Sequence, residues 1–509
     1  MKFKPRSFQI FWDVHAWAGV VSALLLYVTF FAAPFALFYR ELNQWADPSG
    51  SQSSAGPSAA LQPLFEQLVR EAHVIGKDRV AFMPREAGLE AYWSQGDREA
   101  QFRLSAETGR LEPLRSELGS FLYQLHYLGP IPNGIYVAGV AAVALLLTLV
   151  TGVLMHLKDL VRQWFQFRPE RVTRTWSSDL HKVLGVFGLP YQLFYAWSGA
   201  VICLSGATVE PTFRAALFGG DARAELAARG QHATIEPTGQ RSSALPNLDA
   251  LVVRARGALP GLTPNWIGIE HVGDENSLIR VDGQLPGIAF GSAQVWLRAS
   301  DGRVVWTLNP RNATALQRFE AWFFGLHYAR FGGYGIRLLY ALLAWATCAV
   351  IVSGNLIWLE RRDPRRAQLG NRILERLTVG WCAGLVLATA GLFFVNRLLP
   401  AGLPQRATLE KLVFGLVWLL AALCPWLWRA RRNVAGWQLI AAGALFGLVP
   451  VFELLAHPAA ISSRIDRGVA LVLVLFALSV GRVGACLLRA APTPAERLSD
   501  EIEQIGEAQ

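Results

Sequence analysis

Five of the nine histidines lie at the ends of long apolar segments, where an imidazole could bind a metal ion. Two of them, His126 and His327, belong to a Leu-His-Tyr tripeptide that occurs twice, each time just before an apolar segment. Another two, His15 and His181, share the pattern Asp-apolar-His with Gly-Val following. The fifth, His156, ends an apolar segment. Neutral imidazole binds iron, copper and zinc, so this pattern indicates metal ligation.

The donor set around these histidines favours haem over zinc. A structural zinc ion needs four ligands, whereas His126 and His327 have no nearby cysteine and only Glu320 as a close carboxylate. Haem iron takes one axial ligand on each face, and its flat apolar ring needs a slot between helices. Glycines let helices or a macrocycle approach closely, and four of them lie near the histidines: Gly19, Gly152, Gly185 and Gly354.

The spacing of the histidines predicts two sites at two depths. His126 and His156 are 30 residues apart, which a continuous helix would convert into roughly 45 Å. We therefore expect an outer haem on His126 and His327 and an inner haem on His15 and His181. His156 is a third contender for the inner site, as a ligand or as a propionate contact. Further propionate partners by charge are Arg330, Arg337, Lys158 and Lys182.

The elements that must position these histidines are membrane spans. The chain is 52% hydrophobic and 17% charged, and its apolar residues cluster in runs of about 20, enough to cross a bilayer core of roughly 30 Å. Eight runs are expected to span the membrane: 12–38, 134–157, 182–206, 334–359, 373–399, 411–428, 434–456 and 467–488.

The net charge is +10. The basic residues are distributed as expected for a membrane protein and do not indicate nucleic-acid binding. Lys and Arg collect at alternate ends of the spans, in clusters around residues 2–6, 158–174, 361–366 and 429–432. This distribution predicts that both termini are cytoplasmic, with membrane lipids as the partners of the basic loops. We expect the first span to be retained and not cleaved as a signal peptide.

Two long polar segments, about 40–120 and 207–320, are predicted to be small α+β domains on the outer side. Each contains a strand–turn–strand pattern, FRLSAETGRLEPL and VWLRASDGRVVWTL, preceded by helical periodicity at 61–73 and 248–259. The expected organisation is therefore 1–39 (first span), 40–120 (outer domain), 121–206 (two spans), 207–320 (outer domain), 321–362 (fourth span), 363–490 (four further spans) and 491–509 (cytoplasmic tail). Residues 49–60 are a flexible linker by composition.

The ordered motifs resemble the PepSY-associated transmembrane family, which includes inner-membrane ferric-siderophore reductases. They are DVHAWAG, LHY, TGVLMH, DLHKVLG and LHYARFGG, within about residues 8–362. The resemblance implies an α-helical integral membrane protein with a duplicated four-helix core, two inserted periplasmic PepSY-like domains, b-type haems and reduction of iron chelates in the periplasm. At the place of His156 the second copy holds Trp358, which leaves the inner ligand set open.

Our working hypothesis is a haem-dependent reductase of the bacterial inner membrane. A quinol or a cytoplasmic reductase would donate electrons, and a ferric siderophore in the periplasm would accept them. No residue is assigned as a catalytic acid, base or nucleophile. The alternatives are a non-enzymatic scaffold or regulator, in which the histidines are interfacial residues copied by the duplication, and a transporter of iron chelates.

Overall fold

A computed structural model describes residues 5–47, 60–85, 88–96, 98–105, 108–156, 173–232, 235–242, 245–361, 369–428, 431–456 and 464–489. Several sequence predictions lie outside these residues: the linker 49–59, Lys158 with the rest of its basic loop, most of the loop at 361–366, and the tail 491–509.

The chain forms two compact units. The first, here called the membrane unit, comprises Met1–Pro48, Ser116–Val209 and Tyr334–Gln509, and the second, the sheet unit, comprises Ser49–Arg115 and Glu210–Gly333.

The helices follow one another as α1 (Pro5–Leu37), α2 (Tyr39–Ala46), α3 (Leu61–Glu71), α4 (Leu118–His126), α5 (Gly134–His156), α6 (Thr173–Phe187), α7 (Leu189–Cys203), α8 (Glu210–Phe218), α9 (Ala222–Arg229), α10 (Leu248–Ala258), α11 (Ala315–His327), α12 (Gly333–Glu360), α13 (Leu369–Leu377), α14 (Gly384–Leu398), α15 (Arg406–Leu427), α16 (Arg431–Ala456) and α17 (Arg464–Arg489). The strands are β1 (Arg79–Arg85), β2 (Gly88–Gln95), β3 (Arg98–Leu104), β4 (Leu111–Pro113), β5 (Thr263–Glu270), β6 (Leu278–Gln284), β7 (Ala293–Arg298) and β8 (Val304–Leu308).

The described part of the chain contains seven helices long and apolar enough to cross a membrane. These are α1, α5, α12, α15, α16, α17 and the continuous stretch Leu369–Leu398, which joins α13 to α14. The third expected span, 182–206, is instead a bent pair, with 70° between Trp176–Phe187 and Leu189–Cys203. Pro190, in the first turn after Gly188, has no backbone N–H to continue the helix ladder across the bend. The protein is therefore a multi-pass membrane protein, with seven or, if the bent pair is one span, eight spans in its described residues.

Small residues set the packing of the spans. A β-carbon added to Gly139 on α5 would stand 2.7 Å from Leu204, and one added to Gly443 on α16 would stand 2.8 Å from the backbone oxygen of Ala477 on α17. Such contacts let helix backbones approach closely in lipid, where van der Waals packing replaces the hydrophobic effect.

A buried polar network joins the C-terminal spans to the rest of the membrane unit. The Asn396 amide donates to the Ala46 carbonyl at 3.2 Å, to Ser116 Oγ at 3.0 Å and to Glu410 Oε1 at 2.8 Å. Glu410 also accepts from Arg406 Nε at 3.0 Å, and both of these side chains are almost fully buried. Asn396 thus holds together the two places where the chain leaves and re-enters the membrane unit around the first insertion.

A cation–π contact adds to this junction. The Arg397 guanidinium lies 3.7 Å from the centre of the Trp45 ring and pairs with Glu453 at 3.1 Å. Charged groups inside a membrane protein are expensive to bury unless paired, and here each is paired with a group of opposite sign.

The sheet unit is built on one antiparallel sheet of eight strands, in the order β4-β3-β2-β1-β5-β6-β7-β8. The two predicted strand–turn–strand patterns are confirmed as the β3–β4 and β7–β8 pairs. The two predicted helices are confirmed as α3 and α10, whose apolar sides pack on one face of the sheet.

The two inserted segments share this sheet, in contrast to the two separate domains expected from the sequence. Strand β1 pairs with β5 over four residues, from Arg79–Glu270 to Phe82–Ile267. The helices also cap each other: Asp249 accepts from the backbone N–H groups of Leu61 and Gln62, and Gln62 Oε1 accepts from the N–H of Leu248. Exposed helix N-termini carry unsatisfied N–H donors, and each segment satisfies those of the other.

Candidate functional site

His15 and His181 lie next to each other in the membrane unit. Their ring centres are 6.2 Å apart and the ring planes are nearly perpendicular, at 87°. His15 is on α1 and His181 on α6, so the two copies of the repeat contribute one imidazole each. The predicted inner pair is therefore brought together, although 166 residues separate the two histidines along the chain.

Each imidazole is oriented by the next span of its own copy. His15 Nδ1 is 2.8 Å from the Thr148 carbonyl oxygen on α5, and His181 Nδ1 is 2.9 Å from the Val350 carbonyl oxygen on α12. A carbonyl only accepts, so Nδ1 carries the proton in both neutral rings, and Nε2 keeps its lone pair. This is the tautomer that metal-binding histidines adopt, with the second nitrogen oriented by a carbonyl.

A glycine backs each ring. A β-carbon added to Gly152 would lie 3.1 Å from His15 Cε1, and one added to Gly354 would lie 3.2 Å from His181 Cε1. Both distances are tighter than ordinary contacts, so any larger residue would displace the ring. Of the other two glycines predicted to open a slot, Gly19 faces Thr148 at 3.7 Å and Gly185 has no neighbour within 4 Å.

The spacing of the two rings fits one metal atom between them. Metal–imidazole bonds are about 2 Å, and each nitrogen lies ~1 Å from its ring centre, so two imidazoles on opposite sides of one metal have centres roughly 6 Å apart. The observed 6.2 Å agrees with this value. With two Nε2 lone pairs and glycines beside both rings, the residues present fit a pair of imidazoles that would hold a haem iron.

His126 occupies an oriented position as well. Its Nδ1 is 2.8 Å from the Thr29 carbonyl oxygen on α1, which again leaves the Nε2 lone pair available. Helix α4 ends at His126 with two bonds of a Schellman motif, from Leu128 N–H to the Leu125 carbonyl and from Gly129 N–H to the Gln124 carbonyl. Leu128 has a positive φ of 59°, where glycine is usual.

His327 ends its helix in the same way, within the sheet unit. The bonds run from Ala329 N–H to the Leu326 carbonyl and from Arg330 N–H to the Gly325 carbonyl, and Ala329 has a φ of 48°. The Leu-His-Tyr repeat therefore encodes a specific helix end, with a non-glycine left-handed residue two positions after each histidine. Residues held in this region are strained and are common at ligand-binding sites.

His156 and Arg337 were also predicted from the sequence as contacts of a haem, and each lies in a different environment. His156 is the last residue of α5, one turn beyond Gly152, and its counterpart Trp358 packs edge-on against Trp17 with ring centres 5.0 Å apart. Arg337 already forms a double ion pair with Glu41, at 2.6 and 2.9 Å. Its charge is therefore compensated within the membrane unit.

The other two described side chains predicted as propionate partners are Arg330 and Lys182. Arg330 lies over the Tyr328 ring at 4.9 Å, and Lys182 follows His181 on α6.

An ionic network in the sheet unit was not foreseen from the sequence. Arg229 on α9 pairs with Glu320 on α11 at 2.7 Å and with Glu225 at 3.1 Å, and Arg214 on α8 pairs with Glu225 at 2.6 Å. Glu320 is thus an ion-pair partner on the helix that ends at His327. Burial raises the pKa of Glu320, and Arg229 offsets only part of this rise.

Conventional metal sites are not found in the described residues, where no group of three His, Cys, Asp or Glu side chains could hold an ion. Three of the histidines interpreted as structural lie elsewhere in the sheet unit. His73 and His271 occupy turns with positive φ, and His232 stacks on Trp296 with ring centres 4.9 Å apart. His457 lies outside the described residues.

These observations define a class of multi-pass membrane protein in which a histidine pattern is duplicated and a β-sheet unit is inserted between the spans. The family model described as the PepSY-associated TM region matches residues 12–361, and the chain belongs to this family. It is also similar to an uncharacterised protein of Pseudomonas aeruginosa, with 29% identity over 318 residues that cover 58% of this chain and 77% of that protein. The spans after residue 361 lie beyond the family match.

Proposed function

We propose that this protein is a haem-containing reductase that moves electrons across the bacterial inner membrane to ferric siderophores in the periplasm. The observation that carries the proposal is the His15–His181 pair, with ring centres 6.2 Å apart and both Nδ1 atoms bound to backbone carbonyls. Histidines that only anchored their helices at the membrane interface would not need to lie in contact with each other.

The chain's own groups account for ligand orientation. The Thr148 and Val350 carbonyls fix the tautomer of the two inner imidazoles and raise the basicity of their Nε2 atoms. Gly152 and Gly354 leave room for each ring to keep that orientation. Haem bound there would supply a one-electron carrier in an apolar setting. His15 and His181 would hold the iron of this haem, and His156 would be a further contact.

A second haem b is proposed on His126 and His327. The support is the repeated motif, the identical helix ends and the oriented Nδ1 of His126. The alternating basic clusters support an orientation with cytoplasmic termini, in which these two histidines are on the periplasmic side.

The reaction balances with one electron per iron. A ferric chelate gains one electron and becomes a ferrous chelate, which releases iron more readily because siderophores prefer Fe(III). A quinol donor would give two electrons and two protons and so reduce two chelates, whereas a cytoplasmic reductase would give electrons one at a time.

Absorption spectroscopy of the detergent-purified full-length protein tests the proposal. With haem supplied during expression, we expect a Soret band that shifts on dithionite, and roughly two haems per chain. Replacing His15 or His181 by Ala should remove about one of the two haems, and so should replacing His126 or His327. His73→Asn is the matched control, since asparagine tolerates the left-handed conformation of that turn. A colourless wild-type protein would support the scaffold alternative instead.

Stopped-flow mixing then addresses the substrate. Dithionite-reduced protein, freed of excess reductant, should be reoxidised by a ferric siderophore and not by its gallium(III) analogue. Equal reoxidation rates with and without the ferric chelate would contradict the substrate assignment while leaving haem binding intact.

A further inference from the structure

The sheet face opposite α3 and α10 carries a row of residues in register across six strands. Side chains alternate between faces along a strand, and the helix-covered face holds the apolar core, with Val80, Ile269 and Ile279. On the other face, the pairing registers align the following residues from β2 to β8: Tyr92, Ala81, Gly268, Arg280, Trp296 and Trp306. The two smallest members are at β1 and β5, where the two inserted segments meet.

A bulge brings an indole over this small-residue centre. The pairing of β5 with β6 shifts between Pro264 and Trp266, and bulges commonly re-aim a side chain next to a functional site. A β-carbon on Gly268 would lie 2.9 Å from Trp266 Nε1. Tyr92 lies beside this indole, with ring centres 5.4 Å apart. The centre of the face is therefore lined by two aromatic rings from different segments.

Two arginines project from the same face. Arg79 pairs with Glu270 at 3.1 Å, and Arg280 pairs with Asp282 at 2.5 Å. The arginine side chains are 42% and 31% exposed, but their partner carboxylates are only 6% and 12% exposed, so the guanidinium group is the more accessible member of each pair. Burial raises the pKa of Asp282, and the nearby Arg280 offsets only part of this rise. Arg280 also lies 5.5 Å from the centre of the Trp296 ring.

We propose that this aromatic–arginine face (Arg79, Tyr92, Trp266 and Arg280) binds ferric chelates that are anionic and carry aromatic rings, of the catecholate or phenolate type. The inference rests on the proposed function, which it narrows to a substrate class. Indole and phenol rings stack on aryl groups, and guanidinium groups bind anionic oxygens with directed N–H donors. An uncharged aliphatic trihydroxamate chelate has no aryl group to stack on these rings and no net negative charge to attract the guanidinium groups.

Equilibrium binding of gallium(III) tris-catecholate to the full-length protein in detergent tests the assignment. Gallium(III) mimics the size and charge of Fe(III) but is not reduced, so binding is measured without electron transfer. Arg280→Met and Trp266→Phe should each weaken binding by about tenfold or more. Arg254→Met is the matched control, because Arg254 is an exposed arginine of α10 that binds the Asp301 carbonyl on the helix-covered side. A gallium(III) trihydroxamate should bind at least about tenfold more weakly than the tris-catecholate.

Each outcome separates this inference from the proposed function. Loss of affinity in Arg280→Met and Trp266→Phe, but not in Arg254→Met, supports the face as the binding site. Unchanged affinity in both variants, or no binding to the wild-type protein, overturns it even if the haem spectrum is normal. Conversely, if the protein contained no haem but still bound the chelate at this face, the result would contradict the reductase proposal and support the binding site.

Discussion

Gly354 lies against the imidazole of His181, so that an added β-carbon would stand 3.2 Å from Cε1 of that ring. The same relationship holds between Gly152 and His15, at 3.1 Å. We expect Gly152→Ala and Gly354→Ala to tilt the imidazoles and to weaken haem retention by about tenfold, as loss of orienting contacts does at metal sites.

The measurement is haem stoichiometry after dilution into haem-free buffer, with Gly391→Ala as the control. Gly391 is a buried glycine of α14, and its nearest neighbour, Val417, is at an ordinary 3.8 Å. Retention that falls equally in all three variants would point to general loss of packing.

The Glu410 and Lys411 side chains are adjacent on α15 but differ in burial, so their substitutions should differ in effect. Glu410→Gln leaves the buried Arg406 guanidinium without its charge partner, which we expect to cost about 3–5 kcal/mol of stability. Lys411→Met removes only a half-exposed pair with Glu117 at 2.7 Å, worth about 0–1 kcal/mol. Thermal unfolding in detergent should show a large drop in melting temperature for the first variant alone.

Glu225 and Glu320 share Arg229, yet their pKa values move in opposite directions. Burial alone would raise the pKa of Glu225, but Arg214 and Arg229 outweigh it and lower that pKa below its ordinary value. The charged form therefore stabilises the fold above the ordinary carboxyl pKa, and this contribution is lost as the pH falls. The raised pKa of Glu320 means that ionising it opposes folding as the pH rises.

At pH 7 we consequently expect Glu225→Gln to destabilise the protein by roughly 1.5–3 kcal/mol. Glu320→Gln should be neutral or slightly stabilising. Melting curves at pH 7 and pH 4 test both signs, because the penalty of Glu225→Gln should shrink at the lower pH. A penalty that is the same at both values would show that the charge of Glu225 is not its source.

Leu128 and Ala329, two positions after His126 and His327, share a left-handed backbone, but their substitutions by glycine should have opposite effects on stability. Ala329→Gly should stabilise the protein by roughly 0.5–1 kcal/mol, since a left-handed L-residue costs about 1–2 kcal/mol and the flexibility of glycine returns part of it. Leu128→Gly relieves the same strain but removes a buried side chain, so we expect a net loss of at least about 2 kcal/mol. Calorimetric or fluorescence melting of both variants checks the opposite signs.

The membrane core could largely be predicted from the sequence because its signals are local. Hydrophobic runs predicted the spans, and the repeated Asp-apolar-His motif predicted that His15 and His181 belong to one site. The helix ends were less visible, since Leu128 and Ala329 stand where glycine would have signalled a left-handed cap. The bend at Gly188 was missed because the hydropathy of 182–206 is continuous across it.

The shared sheet could not be predicted, because strand periodicity identifies a strand but not its partner. Nothing in the pattern of β1 indicates that Ala81 will lie beside Gly268, which lies in the other insertion. The Asn396–Glu410 network was hidden for the same reason: its acceptors, Ala46 and Ser116, are hundreds of residues away along the chain.

The pairing of β1 with β5 also constrains how the protein is made. Arg79 and Glu270 meet across 191 positions of chain, which a ribosome adds in on the order of 10–40 s. During that interval the newly synthesised first segment has a central strand with no neighbour on one side, a state prone to misassembly. Biogenesis therefore depends on two more helices being threaded into the bilayer before the first insertion can complete its own folding.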